Sequence, residues 1–364
     1  MFQENHNLLA FSEYLLNKYP QCVKDNNTFK KFNSTAEEYN LLKNGVGLKI
    51  NFEPVILSLT GADVLDFLHR ISTNALKDIR NFEKRNTLFL NEKGKFIDRT
   101  SLIKLEEECL LVGSAAQNDR LFSWINKFII AEDIKLKDVS SNYLLLDLIG
   151  RQTESFLSLL VGKENALLDD TAVKRFDVDG FTFHLFCNTE NKSRKIYRLL
   201  LERGRCSEFI EHLFKIKSVF DFDLVGEDAF NAFRIENGIP AYPNEINQNS
   251  NPHEVNLLHE ISFTKGCYIG QEVIARIDTY NKVQRKLVQF TFNGVKEFNG
   301  VQEIYDSTDS DAGSVTTSPV TEIFPDAKGL ALIKKKGAEN GEQFFARSGD
   351  KNILLHLSEV KNNE

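Results

Sequence analysis

The 364-residue sequence is poor in the residues that mark disulfide-stapled or metal-stabilised proteins. It contains five cysteines, an odd number, and no two of them are spaced as Cys-x-x-Cys. This argues against a disulfide framework and against a self-contained zinc site, so we expect no bound metal. Unpaired thiols are typical of a reducing compartment, and we expect a cytoplasmic protein.

Long apolar runs and nucleotide-binding loops are also missing. The longest apolar stretches, such as Tyr143–Ile149, are far shorter than the ~20 residues that cross a bilayer. The first residues have neither the basic region nor the apolar core of a signal peptide. No G-x-G-x-x-G or Walker loop occurs, and the net charge of −7 argues against general nucleic-acid binding. We therefore expect neither a membrane nor nucleic acid as a partner.

The order of predicted elements indicates an α+β fold. A strand at 55–59 is followed by a helix, and then strands at 87–90 and 95–105 flank a turn at 91–94. The order repeats from Tyr143, with a strand, a helix, a hairpin around Asp179-Gly180, and helices at 194–201 and 207–214. Such alternation predicts split βαβ (ferredoxin-like) subdomains.

The last part of the chain has a different pattern. A helix over Glu227–Asn237 is predicted to end at Gly238, whose freedom to take positive φ suits a helix C-terminus. After Asn281, short strands, among them 287–292, 301–305 and 313–317, alternate with Gly, Asp and Ser turns and predict a small antiparallel β-barrel. Residues 306–318, rich in Ser, Thr and Asp, are expected to be exposed.

These patterns predict three segments along the chain. Residues 1–45 form an N-terminal helical extension, residues 46–281 hold two α+β subdomains, and residues 282–364 form the barrel. The length fits two or three domains of ordinary size.

Residues 265–272, which read Lys-Gly-Cys-Tyr-Ile-Gly-Gln-Glu, are the most unusual segment. Two glycines near Cys267 allow the main chain to approach a ligand closely. A cation at Lys265 would favour the thiolate, and Tyr268 offers an aromatic face. The alternative interpretation is that Cys267 is a small, buried and inert residue in a turn.

This segment resembles the signature of YgfZ-type proteins, a folate-binding family tied to the maintenance of iron–sulfur enzymes. The family is part of the glycine-cleavage T-protein (aminomethyltransferase) superfamily. Other similar segments are 93–98 (Lys-Gly-Lys-Phe-Ile-Asp), 233–240, 252–254 (Pro-His-Glu), 273–276 and 284–287. The resemblance covers about residues 46–357, and residues 1–45 lie outside it.

The resemblance implies a T-protein-like fold that binds tetrahydrofolate, or another reduced folate, in a central hole among three subdomains. Asp98 and Glu254 would face the pterin, and Arg285 would pair with the tail carboxylates. Each also has a structural interpretation. Asp98 could be a solvated loop residue, Glu254 a carboxylate at a helix start, and Arg285 part of an exposed strand edge.

The same resemblance assigns the remaining candidate residues. Tyr268 and Arg276 would contribute to cofactor binding, while Cys267, Lys265 and Asp98 would take part in any chemistry.

Three functions stay open at this point. The first is a folate-dependent protein that supports iron–sulfur enzymes through Cys267, with client or assembly proteins as partners. The second is an aminomethyltransferase like the T-protein, whose corresponding motif reads approximately K-x-x-F-x-G-[KR] and has no need of the thiol. The third is a folate-binding module without catalysis. Cys267 favours the first, and the sequence leaves open whether the protein catalyses a reaction.

Overall fold

The computed structural model describes residues 2–114, 118–190, 194–292, 303–320, 322–324, 327–335, 343–348 and 351–360. The chain divides into two compact units, each made of several segments. The first unit comprises Met1–Phe67, Leu76–Asn86 and Thr100–Phe233. The second comprises Leu68–Ala75, Thr87–Arg99 and Arg234–Glu364.

The helices within the described residues are α1 (Phe2–Lys18), α2 (Thr35–Asn44), α3 (Val64–Ile71), α4 (Asn118–Phe128), α5 (Thr153–Val161), α6 (Lys163–Ala166), α7 (Cys206–Ile216), α8 (Glu227–Asn237) and α9 (Gln271–Thr279). In this part of the chain no helix is both long enough and apolar enough to cross a membrane.

The strands are β1 (Val23–Asp25), β2 (Thr28–Lys31), β3 (Val46–Asn51), β4 (Val55–Thr60), β5 (Glu83–Leu90), β6 (Phe96–Lys104), β7 (Cys109–Gly113), β8 (Lys135–Asp138), β9 (Tyr143–Ile149), β10 (Val173–Val178), β11 (Phe181–Glu190), β12 (Arg194–Glu202), β13 (Phe222–Leu224), β14 (Arg285–Phe292), β15 (Glu303–Asp306), β16 (Asp311–Thr317), β17 (Ala327–Lys334), β18 (Phe344–Ser348) and β19 (Lys351–Glu359).

The first unit is built on a six-stranded sheet in the order β10-β11-β12-β9-β3-β13. Only β13 runs parallel to its neighbour, with Phe222 opposite Val46. The main core of this unit includes Leu15 of α1, Phe156 of α5 and Phe209 of α7, all buried. Burial of large apolar side chains on one sheet face is the principal stabilising contribution to such a layer.

A five-stranded sheet has the order β5-β6-β7-β4-β8. The chain passes from one unit to the other within β5 and within β6, after Asn86 and before Thr100. The turn between these two strands, predicted at 91–94, is present, with the Gly94 N–H donating to the Asn91 carbonyl at 2.9 Å.

The second unit contains a closed antiparallel barrel in the order β14-β17-β16-β15-β18-β19. Its interior is lined by buried side chains that include Phe290, Ile304 and Ile333. The predicted α+β class and C-terminal barrel are therefore confirmed. Helix α8 also has the predicted bounds and ends before Gly238, which adopts φ +63°.

Two predictions of local structure are wrong. Residues 194–201 belong to strand β12 and do not form the predicted helix. Tyr197 and Leu199 pack in one core and Leu200 in another, so both faces of the strand are apolar. The alternation of polar and apolar residues that identifies a half-buried strand is therefore absent from the sequence. The exposed loop predicted at 306–318 is limited to 307–310, since β16 occupies Asp311–Thr317 and buries Thr317.

Residues 1–45 hold α1 and α2, and between them a β1–β2 hairpin that sequence reasoning missed. The predicted strand at 301–305 begins at Glu303 in the structure, and its first two residues lie outside the described part of the chain. The domain boundaries at residues 45/46 and 281/282 stay a prediction.

Candidate functional site

The sequence-predicted residues all belong to the second unit, and the 265–272 segment is positioned there by its glycines. Gly270 precedes helix α9 with φ +85° and ψ −2°, a left-handed conformation. A Cβ at this position would lie 2.6 Å from the main-chain oxygen of Asn91. On the other side, a Cβ at Gly94 would lie 3.3 Å from Cγ1 of Val273. The glycines thus allow the β5–β6 turn to pack against the start of α9.

Cys267 is exposed, and a Cβ on the preceding Gly266 would meet nothing within 4 Å. The interpretation of Cys267 as a buried residue is therefore wrong, whereas its reactivity stays a prediction. Three other cysteines are buried: Cys109, Cys187 and Cys206. Burial raises the pKa of Cys109 to about 11 and that of Cys187 to about 12. Ready access by a soluble reagent therefore distinguishes Cys267 from these three thiols.

The Lys265 ammonium group donates to three main-chain carbonyls that lie at and after the end of helix α3. The acceptors are the oxygens of His69, of Ser72 at 2.6 Å and of Asn74 at 2.8 Å. Burial lowers the pKa of Lys265 to about 8, whereas the three carbonyl dipoles favour the protonated form. All three N–H donors of the charged form are used, so this side chain fastens the Cys267 segment to the rest of the unit.

Tyr268 is 8% exposed and belongs to an apolar cluster with Leu90, Ile274 and Leu287. Burial raises the pKa of its phenol to about 12. The Lys265 ammonium lies 5.3 Å from the centre of the ring. These contacts give Tyr268 a role in anchoring the segment.

Asp98 lies on β6 and is fully buried. Its Oδ1 accepts the main-chain N–H of Arg99 at 2.8 Å. The alternative of a solvated loop residue is therefore wrong. A buried carboxylate in a strand is costly to desolvate, and such groups occur preferentially where they have specific polar partners.

Glu254 and Arg285, expected at opposite ends of a ligand, are paired with each other in this structure. Arg285 Nε donates to Oε1 at 2.9 Å and Nη2 donates to Oε2 at 3.0 Å. Arg285 Nη2 also donates to the main-chain oxygen of Asn249 at 2.6 Å, and Lys95 lies 3.6 Å from Oε2 of Glu254. Glu254 is 2% exposed and lies in a turn, so it is not at a helix start.

Arg285 keeps part of its hydrogen-bonding capacity. Its side chain is 27% exposed, and no group in the described part of the chain accepts from Nη1. Lys95, 28% exposed, donates to the same Asn249 oxygen at 3.0 Å. The two cations are therefore held beside the same carbonyl oxygen, and both side chains are partly exposed. Arg276, on α9, is exposed.

Sequence reasoning missed two further buried ion pairs of the second unit. Arg234 donates to Glu245 at 2.8 Å, with exposures of 1% and 0%. Arg99 contacts Glu260 through Nε at 2.9 Å and through Nη2 at 2.6 Å. With Glu254–Arg285, three glutamates between residues 245 and 260 are each paired with an arginine from another element. No spacing rule connects partners 11, 31 and 161 residues apart.

The chain has relatives among known proteins. A family model described as the GCVT N-terminal domain matches residues 12–265. Among curated proteins, an aminomethyltransferase of Bacillus licheniformis is 27% identical over 324 residues, which cover 84% of this chain and 84% of that protein. An aminomethyltransferase of Staphylococcus carnosus is 22% identical over 356 residues, covering 92% of this chain and 91% of the relative.

A solved structure shares the fold. The glycine cleavage system aminomethyltransferase T from Bartonella henselae superimposes with a TM-score of 0.79 at 16% identity, covering 94% of each chain. The expected T-protein-like α+β fold is thereby confirmed. Because the family model matches well over half of the residues, the chain belongs to the family of the GCVT N-terminal domain.

Proposed function

We propose that the protein binds a reduced folate such as tetrahydrofolate, with Asp98 and Arg285 as the main polar contacts. The observation that carries this proposal is the fully buried Asp98 carboxylate on β6, in a fold shared with a glycine-cleavage aminomethyltransferase. Membership of the GCVT N-terminal domain family supports the same ligand class.

Asp98 suits the pterin end of such a ligand. A carboxylate can accept two parallel hydrogen bonds from an aminopyrimidine edge. Because Asp98 is buried, these bonds would form in the protein interior. Hydrogen bonds are electrostatically stronger there than in bulk water.

Arg285 suits a carboxylate of the folate tail. Arg285 and the neighbouring Lys95 are both partly exposed and donate to the same Asn249 oxygen, so together they offer positive charge to an anionic group. A planar guanidinium matches the geometry of a carboxylate better than an ammonium does. In this proposal Glu254 holds Arg285 in place through their ion pair. This role of Glu254 replaces the contact with the pterin that was expected for it.

Two residues keep supporting roles. Tyr268 anchors the loop that carries Cys267, and Arg276 is an exposed cation on α9 that can meet a second tail carboxylate.

We further propose that the protein supports the assembly or repair of iron–sulfur enzymes, with Cys267 as a reactive or ligating thiol. The exposure of Cys267 within the YgfZ-like motif supports this role. One cysteine supplies one of the four ligands that a cluster commonly takes, so any cluster contact would be shared with a partner protein. The five free thiols fit a reducing compartment such as the cytoplasm.

Aminomethyl transfer to tetrahydrofolate is the alternative, favoured by the names of the relatives from Bacillus licheniformis and Staphylococcus carnosus. It needs Asp98 and the folate site but not the thiol. A binding module without catalysis is the third possibility and needs neither turnover nor Cys267.

Calorimetric titration with tetrahydrofolate tests the binding site. Asp98→Asn should weaken binding by about tenfold or more, since a hydrogen bond to a charged group typically contributes ~1.5–3 kcal/mol. Arg285→Lys should weaken it less, because the charge remains and only the planar fork is lost. With a reduced pterin that lacks the tail, Asp98→Asn should retain its effect and Arg285→Lys should have none. The reverse order would show that the two ends are wrongly placed.

Cys267→Ser separates the functions. If the thiol acts on iron–sulfur enzymes, the variant should bind tetrahydrofolate normally but fail to restore these enzymes in a deletion strain. If the protein is an aminomethyltransferase, wild type and variant should turn over an aminomethyl carrier equally. If the variant fully restores the iron–sulfur enzymes, and neither wild type nor variant turns over the aminomethyl carrier, the function that remains is a folate-binding module without catalysis.

A further inference from the structure

Asp98 is connected to a buried ion pair that no spacing in the sequence reveals. The residue that follows it, Arg99, contacts both carboxylate oxygens of Glu260, with Nε at 2.9 Å from Oε1 and 3.1 Å from Oε2. A third contact joins Nη2 to Oε1 at 2.6 Å. The side chains are 11% and 2% exposed. A guanidinium held by several charged hydrogen bonds has little rotational freedom.

This pair reaches the Asp98 carboxylate through the main chain. Successive residues of a strand point to opposite faces, so Arg99 points away from Asp98. The Arg99 N–H nevertheless donates to Oδ1 of Asp98 at 2.8 Å. When Glu260 holds the Arg99 side chain, it also fixes the peptide whose N–H sets the rotamer of Asp98.

Glu260 is itself held rigidly. Its main-chain oxygen accepts the hydroxyl of Thr73 at 2.8 Å, and Ser262 N–H donates to the Thr73 carbonyl at 3.1 Å. The same hydroxyl oxygen accepts the N–H of Leu88 on β5 at 3.0 Å. Thr73 is fully buried. A continuous series of hydrogen bonds and ion pairs therefore connects buried Thr73, through Glu260 and Arg99, to the carboxylate of Asp98.

We propose that Glu260 is a positioning residue for Asp98, acting through Arg99, and that it tunes the affinity for the pterin end of the ligand. The proposal rests on the folate-binding function proposed above. It assigns Glu260 no contact with the ligand, only control over where the Asp98 oxygens lie.

A double-mutant cycle in tetrahydrofolate titrations tests this role. Glu260→Gln should weaken binding by about tenfold in the wild-type background, which lies within the usual range for coupled neighbours. In the Asp98→Asn background it should weaken binding by less than about twofold, because the group that it positions is gone. Glu260→Asp, which keeps the charge, should recover most of the affinity.

Glu245→Gln is the matched control, because it removes the charge of another buried glutamate–arginine pair in the same unit. Glu245→Gln should change the affinity for tetrahydrofolate by the same factor in the wild-type and Asp98→Asn backgrounds. Equal losses for Glu260→Gln in both backgrounds would overturn the proposal and leave only a structural role.

Hydrogen exchange supplies a readout without folate. Glu260→Gln should speed exchange of the Arg99 amide, while the Gly94 amide in the β5–β6 turn should keep its rate. An unchanged Arg99 rate would contradict the positioning role even if folate binds. If wild-type protein gives no saturable heat with tetrahydrofolate, the proposed function fails, and the Arg99 rate separately decides whether Glu260 holds this peptide.

Discussion

Gly270 is the position where one added methyl group should do most harm to the candidate site. It adopts φ +85°, and a Cβ there would lie 2.6 Å from the main-chain oxygen of Asn91. That oxygen already accepts the N–H of Gly94 at 2.9 Å within the β5–β6 turn, so displacing it would weaken this hydrogen bond.

The expected cost of Gly270→Ala follows from these two effects. A non-glycine residue in the left-handed region costs ~1–2 kcal/mol. Displacing the Asn91 oxygen weakens a hydrogen bond with a net value of ~0.5–1.5 kcal/mol. The sum is about 1.5–3.5 kcal/mol of local stability, and a value near 2 kcal/mol corresponds to about a thirtyfold change in the opening equilibrium.

Amide hydrogen exchange with peptide-level readout measures this opening. Peptides that span the β5–β6 turn and the start of α9 should exchange about thirtyfold faster in Gly270→Ala. Gly266→Ala is the control, since a Cβ there would meet nothing within 4 Å and the variant should exchange at the wild-type rate. Equal exchange in the two variants would refute the claim that Gly270 is required by close approach of the turn.

The remaining predictions concern the thiols and a buried pair. Iodoacetamide near pH 8 should modify Cys267 much faster than the three buried cysteines, whose pKa values of about 11 to 12 leave almost no thiolate. Those thiols ionise from about pH 9 when unfolded but hold their protons longer when folded. The unfolded state therefore binds fewer protons above pH 9, and the free energy of unfolding should fall as pH rises further; a flat profile in urea titrations at pH 8.5–10.5 would contradict this. Glu245→Ala should cost ~3–5 kcal/mol because it leaves buried Arg234 without its carboxylate. Glu359→Ala, which removes an exposed pair with Lys286, should cost at most ~1 kcal/mol, and similar urea midpoints for the two variants would refute the distinction.

The parts of the fold that depend on local signals could be predicted from the sequence. The turn at 91–94 and the end of α8 at Gly238 depend on glycines at positive φ, which leave a recognisable pattern. The barrel also has a local signature of short strands and polar turns. The prediction for residues 194–201 was wrong because the apolar residues of strand β12 face two cores. Such a continuous apolar stretch cannot be distinguished from a buried helix by its periodicity.

The candidate site could be predicted only in part. The exposure of Cys267 agrees with the glycine beside it. The partners of Lys265 could not be foreseen, because its acceptors lie 191 to 196 residues away and are main-chain carbonyls that carry no side-chain signal. The same holds for Arg99–Glu260, because Arg99 lies on β6 and Glu260 at the end of a short 3-10 helix, Leu258–Glu260, that is distant in sequence.

The most direct test of the account is a calorimetric titration of the purified full-length chain with tetrahydrofolate, 5-formyl-tetrahydrofolate and an unrelated pterin. We expect saturable heat with one site per chain for the reduced folates. The unrelated pterin, which lacks the tail that Arg285 would hold, should bind much more weakly. No saturation by either reduced folate at millimolar concentration would contradict the account.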